Sequence, residues 1–556
     1  MSKLVECVPN FSEGRNPEVI KSIAAEVASV AGVTLLDVDP GDATNRTVVT
    51  FVGGPDAVVE AAFLSIAKAA ELIDMRQHQG AHARQGATDV CPFVPISGVS
   101  IEECVELANR LAKRVGEELK IPVYLYSHAA KRPERKKMTD IRVGEYEALE
   151  EKLTKPEWAP DYGPAEFNAT AGATVIGVRP FLIAYNINLN TRNTKLAKQI
   201  GWTIREKGRA KRDEKGKRIR DAEGDLVRTP GLPECQATGW FIEEYGRAQV
   251  TMNLTNYEVT SIHTAFDRVC ELAEENGVRV TGSEVVGLIP KEPLLAAGRH
   301  YLAKQNMSTG VSEKELIEIA NLTFGFSEVQ PFVAEKKVIE YQVAEKRPLV
   351  TMTVEDFTDE LGSDSPAPGG GSVAALAGSL AGALVSMVGV LTHGKKGYKE
   401  HNALMEELGA KAQTLKDRLM AIVDDDTAAF NLVMDAFRLP KKTEADIAAR
   451  DAAILEANKG ATRIPFEALD RCVEVLKLVE PLVEKGNQNS LSDAGVAGLM
   501  ARAGAEGAYY NVLINLSGID DASWCAEMKT KADGLLAQAE TLADVVRTRT
   551  LEKLSS

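Results

Sequence analysis

Cysteine is scarce and unpatterned in this 556-residue chain: seven residues, no Cys-x-x-Cys pair and no zinc-type spacing. That argues against a disulfide scaffold or zinc ribbon and for reduced thiols in a reducing compartment. Positive charge is not in excess either. Against 80 Asp and Glu stand 65 Lys and Arg, a formal charge of −15, which argues against general nucleic-acid binding but leaves local basic runs able to hold a small acidic ligand. The opening Met1-Ser2-Lys3-Leu4-Val5-Glu6 lacks the apolar core of a signal peptide. The longest apolar run, around 373–391, is full of Gly, Ala and Ser and lacks the Leu, Ile and Phe density of a membrane span. The expectation is a cytoplasmic protein that binds neither nucleic acid nor membrane. What is present is ordinary globular composition, 44% apolar and 26% charged, in a chain long enough for roughly two to four domains with cores of their own.

The first half alternates strand and helix. Strands are expected at 4–8, 33–38, 47–52, 91–96 and 123–126, and helices at 17–30, 57–73 and 101–119. The opening order β-α-β-β-α-β is that of a ferredoxin-like sandwich. It then repeats, with strands at 180–189, 236–241, 248–254 and 278–284 around helices 191–205 and 261–276. Two ferredoxin-like α/β subdomains are therefore expected, 1–179 and 180–329, with a ligand cleft between them. The charged stretch 207–228 reads as a solvated loop or hairpin. After a linker at 330–352, residues 353–556 read as an all-α bundle. Its first helix is capped by Thr353, and others are expected at 373–392, 399–437, 443–459, 466–484, 491–517 and 522–548.

Several clusters could carry chemistry. The helical half opens on Pro366-Ala367-Pro368-Gly369-Gly370-Gly371-Ser372. This bare-backbone loop leaves Ser372 to cap a helix starting at Val373, and it is either a tight turn or a seat for an anionic or polar guest. In His78-Gln79-Gly80-Ala81-His82-Ala83-Arg84 a histidine could shuttle a proton and Arg84 could hold a carboxylate bidentately. The same histidines could be a structural pair, while a zinc motif would need Glu where Gln79 stands. Asp426 sits within the stripe of Leu419, Ile422, Val423, Phe430, Val433, Met434 and Phe437, whereas Asp425 and Asp424 are rotated about 100° and 200° away. An inward carboxylate is functional, paired or a cap for a neighbouring helix. Ser492 or Asp493 reads as the N-cap of a helix with small residues on one face. The run Lys131-Arg132-Pro133-Glu134-Arg135-Lys136-Lys137 could bind an anionic tail or be a solvated face.

Three stretches resemble the glutamate formimidoyltransferase family: Leu4-Val5-Glu6-Cys7-Val8-Pro9-Asn10-Phe11-Ser12-Glu13-Gly14, the His82 loop with Gly80 and Thr88-Asp89, and Arg179 to Asn190. The Pro-Gly-Gly-Gly-Ser loop, the Asp424-to-Phe430 segment and Ser492-Asp493 resemble formimidoyltetrahydrofolate cyclodeaminase. Both in this order resemble the bifunctional formimidoyltransferase-cyclodeaminases over nearly the full length, with 207–228 unusual for the family. The resemblance implies transfer of a formimidoyl group from N-formimidoyl-L-glutamate to tetrahydrofolate. Cyclisation to 5,10-methenyltetrahydrofolate with loss of ammonia follows, a sequence belonging to histidine breakdown. It implies that His82 is the transferase acid/base and Asp426 the deaminase carboxylate. It also implies that Gly163-Pro164-Ala165-Glu166-Phe167-Asn168-Ala169-Thr170-Ala171-Gly172 binds folate. Tetrahydrofolate, polyglutamylated, is the expected co-substrate, its tail held by Lys131 and Arg132. No metal is expected, and a ring-like homo-oligomer is. The competing readings are a related enzyme with a formyl donor or cyclohydrolase chemistry, and a non-catalytic folate-binding scaffold.

Overall fold

The computed structural model describes residues 3–41, 45–80, 83–243, 245–344 and 347–556. Packing divides the chain into two compact units, Met1–Pro293 with Phe324–Ala344, and Leu294–Thr323 with Glu345–Ser556.

The first unit opens on a seven-stranded mixed sheet. β1 (Leu4–Cys7) and β2 (Asn10–Phe11) are two pieces of one strand line. Both pair antiparallel with β4 (Arg46–Gly53) on one side and with β5 (Thr88–Ser97) on the other. β3 (Val33–Gly41) extends the sheet beyond β4. Beyond β5, β6 (Val123–Ser127) and β7 (Thr174–Val178) add in parallel, with β7 between β5 and β6. Helices α1 (Pro17–Ala28), α2 (Pro55–Leu72) and α3 (Ile101–Glu118) start where the local chemistry directs. Asn16 accepts from the N–H groups of Glu18 and Val19, and Ser100 with Glu103 forms a capping box. Their apolar stripes bury against Val5, Phe51 and Phe93 of the sheet. β7 was not among the expected strands. All five of its residues are buried, so it shows no alternation, as is usual for a parallel strand covered on both faces.

A four-stranded antiparallel sheet follows, built from β8 (Ile183–Leu189), β9 (Cys235–Ile242), β10 (Arg247–Leu254) and β11 (Val280–Val286). Its strands stand in the order β11-β8-β10-β9. The first sheet places its corresponding strands in the same order, β5-β1-β4-β3. The 207–228 insertion is largely exposed, with Gly208 buried at its base, and folds as successive tight turns. Ile219 N–H donates to Lys211 O, Val227 N–H to Ile219 O, and Lys211 N–H to Val227 O. Arg212, Arg220 and Arg228 each reach the carbonyl of a glycine, 216, 224 and 208.

The second unit is helical: α4 (Val354–Leu361), α5 (Gly370–Thr392), α6 (Asn402–Arg438), α7 (Glu444–Lys485), α8 (Leu491–Leu516) and α9 (Ala522–Ser555). α5 is long and apolar enough to cross a membrane by length and composition, and most of that window is buried inside the unit. Its Ala374, Ala375 and Ala381 pack with Ala501, Ala505 and Ala508 of α8 in one core.

Two expectations are corrected here. The helices expected at 443–459 and 466–484 are one helix, with Pro465 inside it. Proline removes the N–H that Ala461 O would accept, and Asn515 Nδ2 donates to that carbonyl at 2.8 Å instead. Ser372 is not the N-cap. α5 begins two residues earlier, at Gly370, with Gly369 in the cap position, which places Ser372 inside the first turn.

Candidate active sites

In the first unit the histidine loop leaves α2 and returns to the sheet at β5. Ala81 and His82 lie outside the described residues. His78 is buried, its Nε2 2.8 Å from Asn45 O, and its Nδ1 accepts from Arg84 Nε at 3.3 Å. Both ring nitrogens of His78 therefore have partners within the chain. Asn45 Nδ2 donates to Gln79 O at 3.0 Å. Arg84 is also committed, bonding Glu147 through both terminal nitrogens (2.8 and 2.6 Å) and Glu145 at 3.1 Å. The bidentate carboxylate that Arg84 was expected to hold is thus supplied by the chain itself. Hydrogen bonding to Glu147 raises the guanidinium pKa, and Arg84 in turn holds the Glu147 carboxyl below its ordinary value.

The 163–172 stretch runs along this wall. Its far end is sealed to the histidine loop, as Ala173 N–H donates to Gln85 O and Ala87 N–H to Ala171 O. Gly172 has φ +68°, and a Cβ there would collide with Gln85 O. Asn168 shapes the turn through Oδ1, which accepts Ala171 N–H at 2.9 Å. Tyr146 packs its ring 5.5 Å from Phe167 and donates to Ala169 O. At the near end Lys131 Nζ lies over the Tyr162 ring at 4.1 Å, and Arg132 binds Glu157 O at 2.9 Å. The middle of that basic run is structural. Arg135 is buried on Asp161 at 2.8 Å. The motif residue Asp89 is buried, and Arg46 and Arg142 converge on it. Neither arginine stood out in the sequence, because each is an isolated cation whose partner lies more than forty residues away.

In the second unit three successive aspartates of α6 do three different things. Asp424 accepts the N–H groups of Leu349 and Val350 at 2.9 and 3.2 Å. Asp425 pairs with Arg418 at 2.7 Å, and Arg418 in turn holds Glu467. Asp426 turns to the start of α5, where a Cβ on Gly371 would overlap its carboxylate. Ser372 is fully buried, donates through Oγ to Val423 O at 2.9 Å and keeps that oxygen 3.3 Å from Asp426 Oδ2. Its backbone N–H also bonds Asp426. Burial pushes the Asp426 carboxyl above its ordinary pKa, and the Ser372 hydrogen bonds only partly offset this. Thr427 and Asn511 complete the surroundings: Thr427 Oγ1 lies 3.4 Å from Ser372 Oγ, and a Cβ on Gly370 would lie 3.3 Å from Asn511 Nδ2.

The glycine loop, Ser372 and Asp426, singled out separately in the sequence, lie together in the structure. Asp493 is not with them. α8 begins at Leu491 with Ser490 in the cap position, so neither Ser492 nor Asp493 is its N-cap. Asn511, which abuts Gly370, lies about 27 Å further along the same helix at 1.5 Å per residue. The apolar stripe beyond Asp426 is partly in solvent, with Met434 39% and Phe437 48% exposed. A separate cavity of about 330 Å³ lies at the foot of the insertion, lined by Arg209, Lys211, Arg212 and Glu275 among others, and none of the nominated site residues lines it.

An α/β unit with a polar wall around a histidine loop, joined in one chain to a helical unit with a buried carboxylate under a glycine-rich helix start, is the layout of a two-site enzyme. Comparison gives the kind. Residues 4–179 match the formiminotransferase domain, N-terminal subdomain; 184–344 match the formiminotransferase domain; and 353–534 match formiminotransferase-cyclodeaminase. The chain is 42% identical over 552 residues to the formimidoyltransferase-cyclodeaminase of Sus scrofa, covering 99% of both chains. Its first part is 42% identical to the glutamate formimidoyltransferase of Streptococcus pyogenes serotype M1, covering 54% of this chain and 94% of that protein. A 190-residue segment is 46% identical to the methenyltetrahydrofolate cyclohydrolase of Methylorubrum extorquens, covering 34% of this chain and 91% of that protein. The chain belongs to the formimidoyltransferase-cyclodeaminase family.

Proposed function

We infer that the chain carries both activities of its family. It transfers the formimidoyl group of N-formimidoyl-L-glutamate to tetrahydrofolate, then cyclodeaminates 5-formimidoyltetrahydrofolate to 5,10-methenyltetrahydrofolate and ammonia, in histidine degradation. The carrying observation is the match over 99% of both chains, with the two halves in the same order. The finer assignments follow from it. Residues 1–179 and 180–329 are the transferase subdomains, ferredoxin-like in plan, 330–352 the linker and 353–556 the deaminase. The repeated strand order supports the first of these.

In transfer, N5 of the folate attacks the amidine carbon, and the departing glutamate nitrogen must receive a proton. His82 is the acid/base for that exchange. The occupation of both His78 nitrogens supports the choice between the two histidines. The 163–172 stretch holds the folate, and Lys131 and Arg132 hold its polyglutamate tail. In deamination N10 attacks the same carbon and ammonia leaves. Asp426 relays protons and stabilises the cationic amidinium, and its confinement under Gly371 and Ser372 supports that role. The protein works in the cytoplasm as a ring-like homo-oligomer.

A second reading applies to the helical half alone. The cyclohydrolase relative favours water rather than ammonia as the group exchanged at the methenyl carbon. One assay separates the two, following methenyltetrahydrofolate absorbance and ammonia from N-formimidoylglutamate and tetrahydrofolate. Wild type makes both products. His82→Ala blocks the first step by about 10²–10⁴-fold, and Asp426→Ala accumulates 5-formimidoyltetrahydrofolate. Absence of ammonia together with hydrolysis of added methenyltetrahydrofolate would favour the cyclohydrolase.

A further inference from the structure

Two successive glycines at the start of α5 each leave the space of a side chain to a polar group from another helix. A Cβ on Gly371 would overlap the Asp426 carboxylate of α6, and a Cβ on Gly370 would lie 3.3 Å from Nδ2 and 3.7 Å from Oδ1 of Asn511 on α8. Successive Cβ directions on a helix diverge by about 100°, so the carboxylate and the amide flank the helix start on neighbouring sides. Gly370 is exposed, whereas Gly371 and Ser372 are buried, so solvent reaches the helix start where Asn511 stands. The Asn511 amide is oriented but not used up. Nδ2 donates one hydrogen to Gly507 O at 2.8 Å, one turn back on α8, and this fixes which end of the amide is the donor. The other Nδ2 hydrogen and Oδ1 have no partner among the described residues. A half-buried amide in this state offers one donor beside one acceptor. That is the complement of a lactam, which offers a carbonyl beside an N–H, and not of a carboxylate or phosphate, which offers acceptors alone.

We propose that Asn511 binds the lactam edge of the pteridine in 5-formimidoyltetrahydrofolate, its Oδ1 accepting N3–H and its remaining Nδ2–H donating to the C4 oxygen. This rests on reading the helical unit as the deaminase. The C4 oxygen is peri to N5, the atom that carries the formimidoyl group. A grip on the lactam edge therefore delivers that group to the neighbouring side of the helix start, where Asp426 stands. Gly370 is required bare for the same reason as Gly371: each clears the ground in front of one of the two groups that meet the substrate.

The test is inhibition of deamination in the full-length chain, with 5-formimidoyltetrahydrofolate added and no N-formimidoylglutamate present. Two inhibitors differ only on the lactam edge. Tetrahydrofolate carries the C4 oxygen and N3–H, whereas 4-amino-4-deoxytetrahydrofolate carries a donor at C4 and an acceptor at N3. Because Gly507 O holds the Asn511 donor in place, wild type should bind tetrahydrofolate about tenfold or more tighter than the analogue. Asn511→Ala should weaken inhibition by tetrahydrofolate about tenfold, change that by the analogue less than about twofold, and raise the KM for 5-formimidoyltetrahydrofolate in parallel. Asn511→Asp keeps the shape, removes the Nδ2 donor and should close the gap between the inhibitors as well. A weakening of both inhibitors alike, with a lower melting temperature, would make Asn511 a structural partner of Gly507 and overturn the proposal. A loss of kcat with the gap intact would place the amide on the departing nitrogen and equally overturn it, as would a wild type that does not distinguish the two inhibitors. If wild type does not turn over 5-formimidoyltetrahydrofolate at all, the deaminase reading fails before any variant is made.

Discussion

Gly371 shows how one missing side chain can define a site. Alanine is favoured over glycine within a helix by roughly 0.5–1 kcal/mol, so Gly371→Ala should firm the start of α5. Its methyl would instead land on the Asp426 carboxylate and push it off Ser372. Displacements of about 1 Å cost catalysis on the order of 10²-fold. A loss of that size in deamination, with the transferase rate and melting temperature unchanged, is expected, and retained deamination would show that Asp426 has room to move. Glu6 offers a test by pH. It is buried in β1, and burial raises its carboxyl to about 7, against a smaller opposing pull from Arg179. The unfolded chain ionises this group near 4.5. The stability it supports is therefore complete below that pH and is lost as pH rises through 7, by up to about 3 kcal/mol. Glu6→Gln removes the dependence. Urea unfolding should find the variant more stable than wild type at pH 8 and nearly equal to it at pH 5. An equal difference at both pH values would mean that Glu6 is ionised throughout.

At the level of elements, a proline inside α7 is tolerated because a neighbour supplies what it removes. Asn515 of α8 donates to Ala461 O, the carbonyl orphaned by Pro465. Asn515→Ala should cost about 1–3 kcal/mol in chemical denaturation of the helical unit, whereas Asn515→Ala combined with Pro465→Ala should recover most of it. Failure of the double variant to recover would place the cost elsewhere. The same pair shows where reading the sequence stops. Proline at 465 argues locally for a break, and its compensation comes from a residue fifty positions later. Most elements were legible because their signals are local. Thr353 caps its helix as expected, the helices expected from 17 and 101 start there behind Asn16 and Ser100, and Asp426 was singled out by helical periodicity. What depended on distant partners was not legible: β7, buried on both faces and without alternation; the commitment of Arg84 to Glu145 and Glu147; and the convergence of Arg46 and Arg142 on Asp89. Ser372 and Asp493 were misread as caps for a related reason. A small polar residue near a helix start fits both the cap and the first turn, and only the bonding of the first turn, here to Asp426 for Ser372, separates them.

For the whole molecule, the units that pack together are not the same as the segments that are contiguous in sequence. The transferase match runs through 344, yet Leu294–Thr323 packs with the helical unit. The contacts are specific. Ser386 Oγ, on a buried residue of α5, donates to Gly310 O at 2.6 Å. Gln413 Nε2 supports Ser386 Oγ at 2.8 Å, and Glu406 on α6 accepts the Thr309 N–H at 3.0 Å. Relatives of each half exist whose own lengths are over nine-tenths covered, so each activity should survive separation of the chain. The helical half should survive less robustly. A fragment of residues 347–556 loses the Ser386–Gly310 and Thr309–Glu406 hydrogen bonds. At about 0.5–1.5 kcal/mol for each hydrogen bond lost, and about 2–4 °C per kcal/mol for a unit of this size, deamination by the fragment should be lost several degrees below the temperature at which the intact chain loses it. Adding residues 1–344 as a separate fragment restores the missing 308–310 segment and should move the midpoint back up. Thermal inactivation of deamination in the intact chain, the fragment and the mixture is the measurement. Identical midpoints for fragment and intact chain would mean that the 294–323 segment rests on the helical unit without stabilising it.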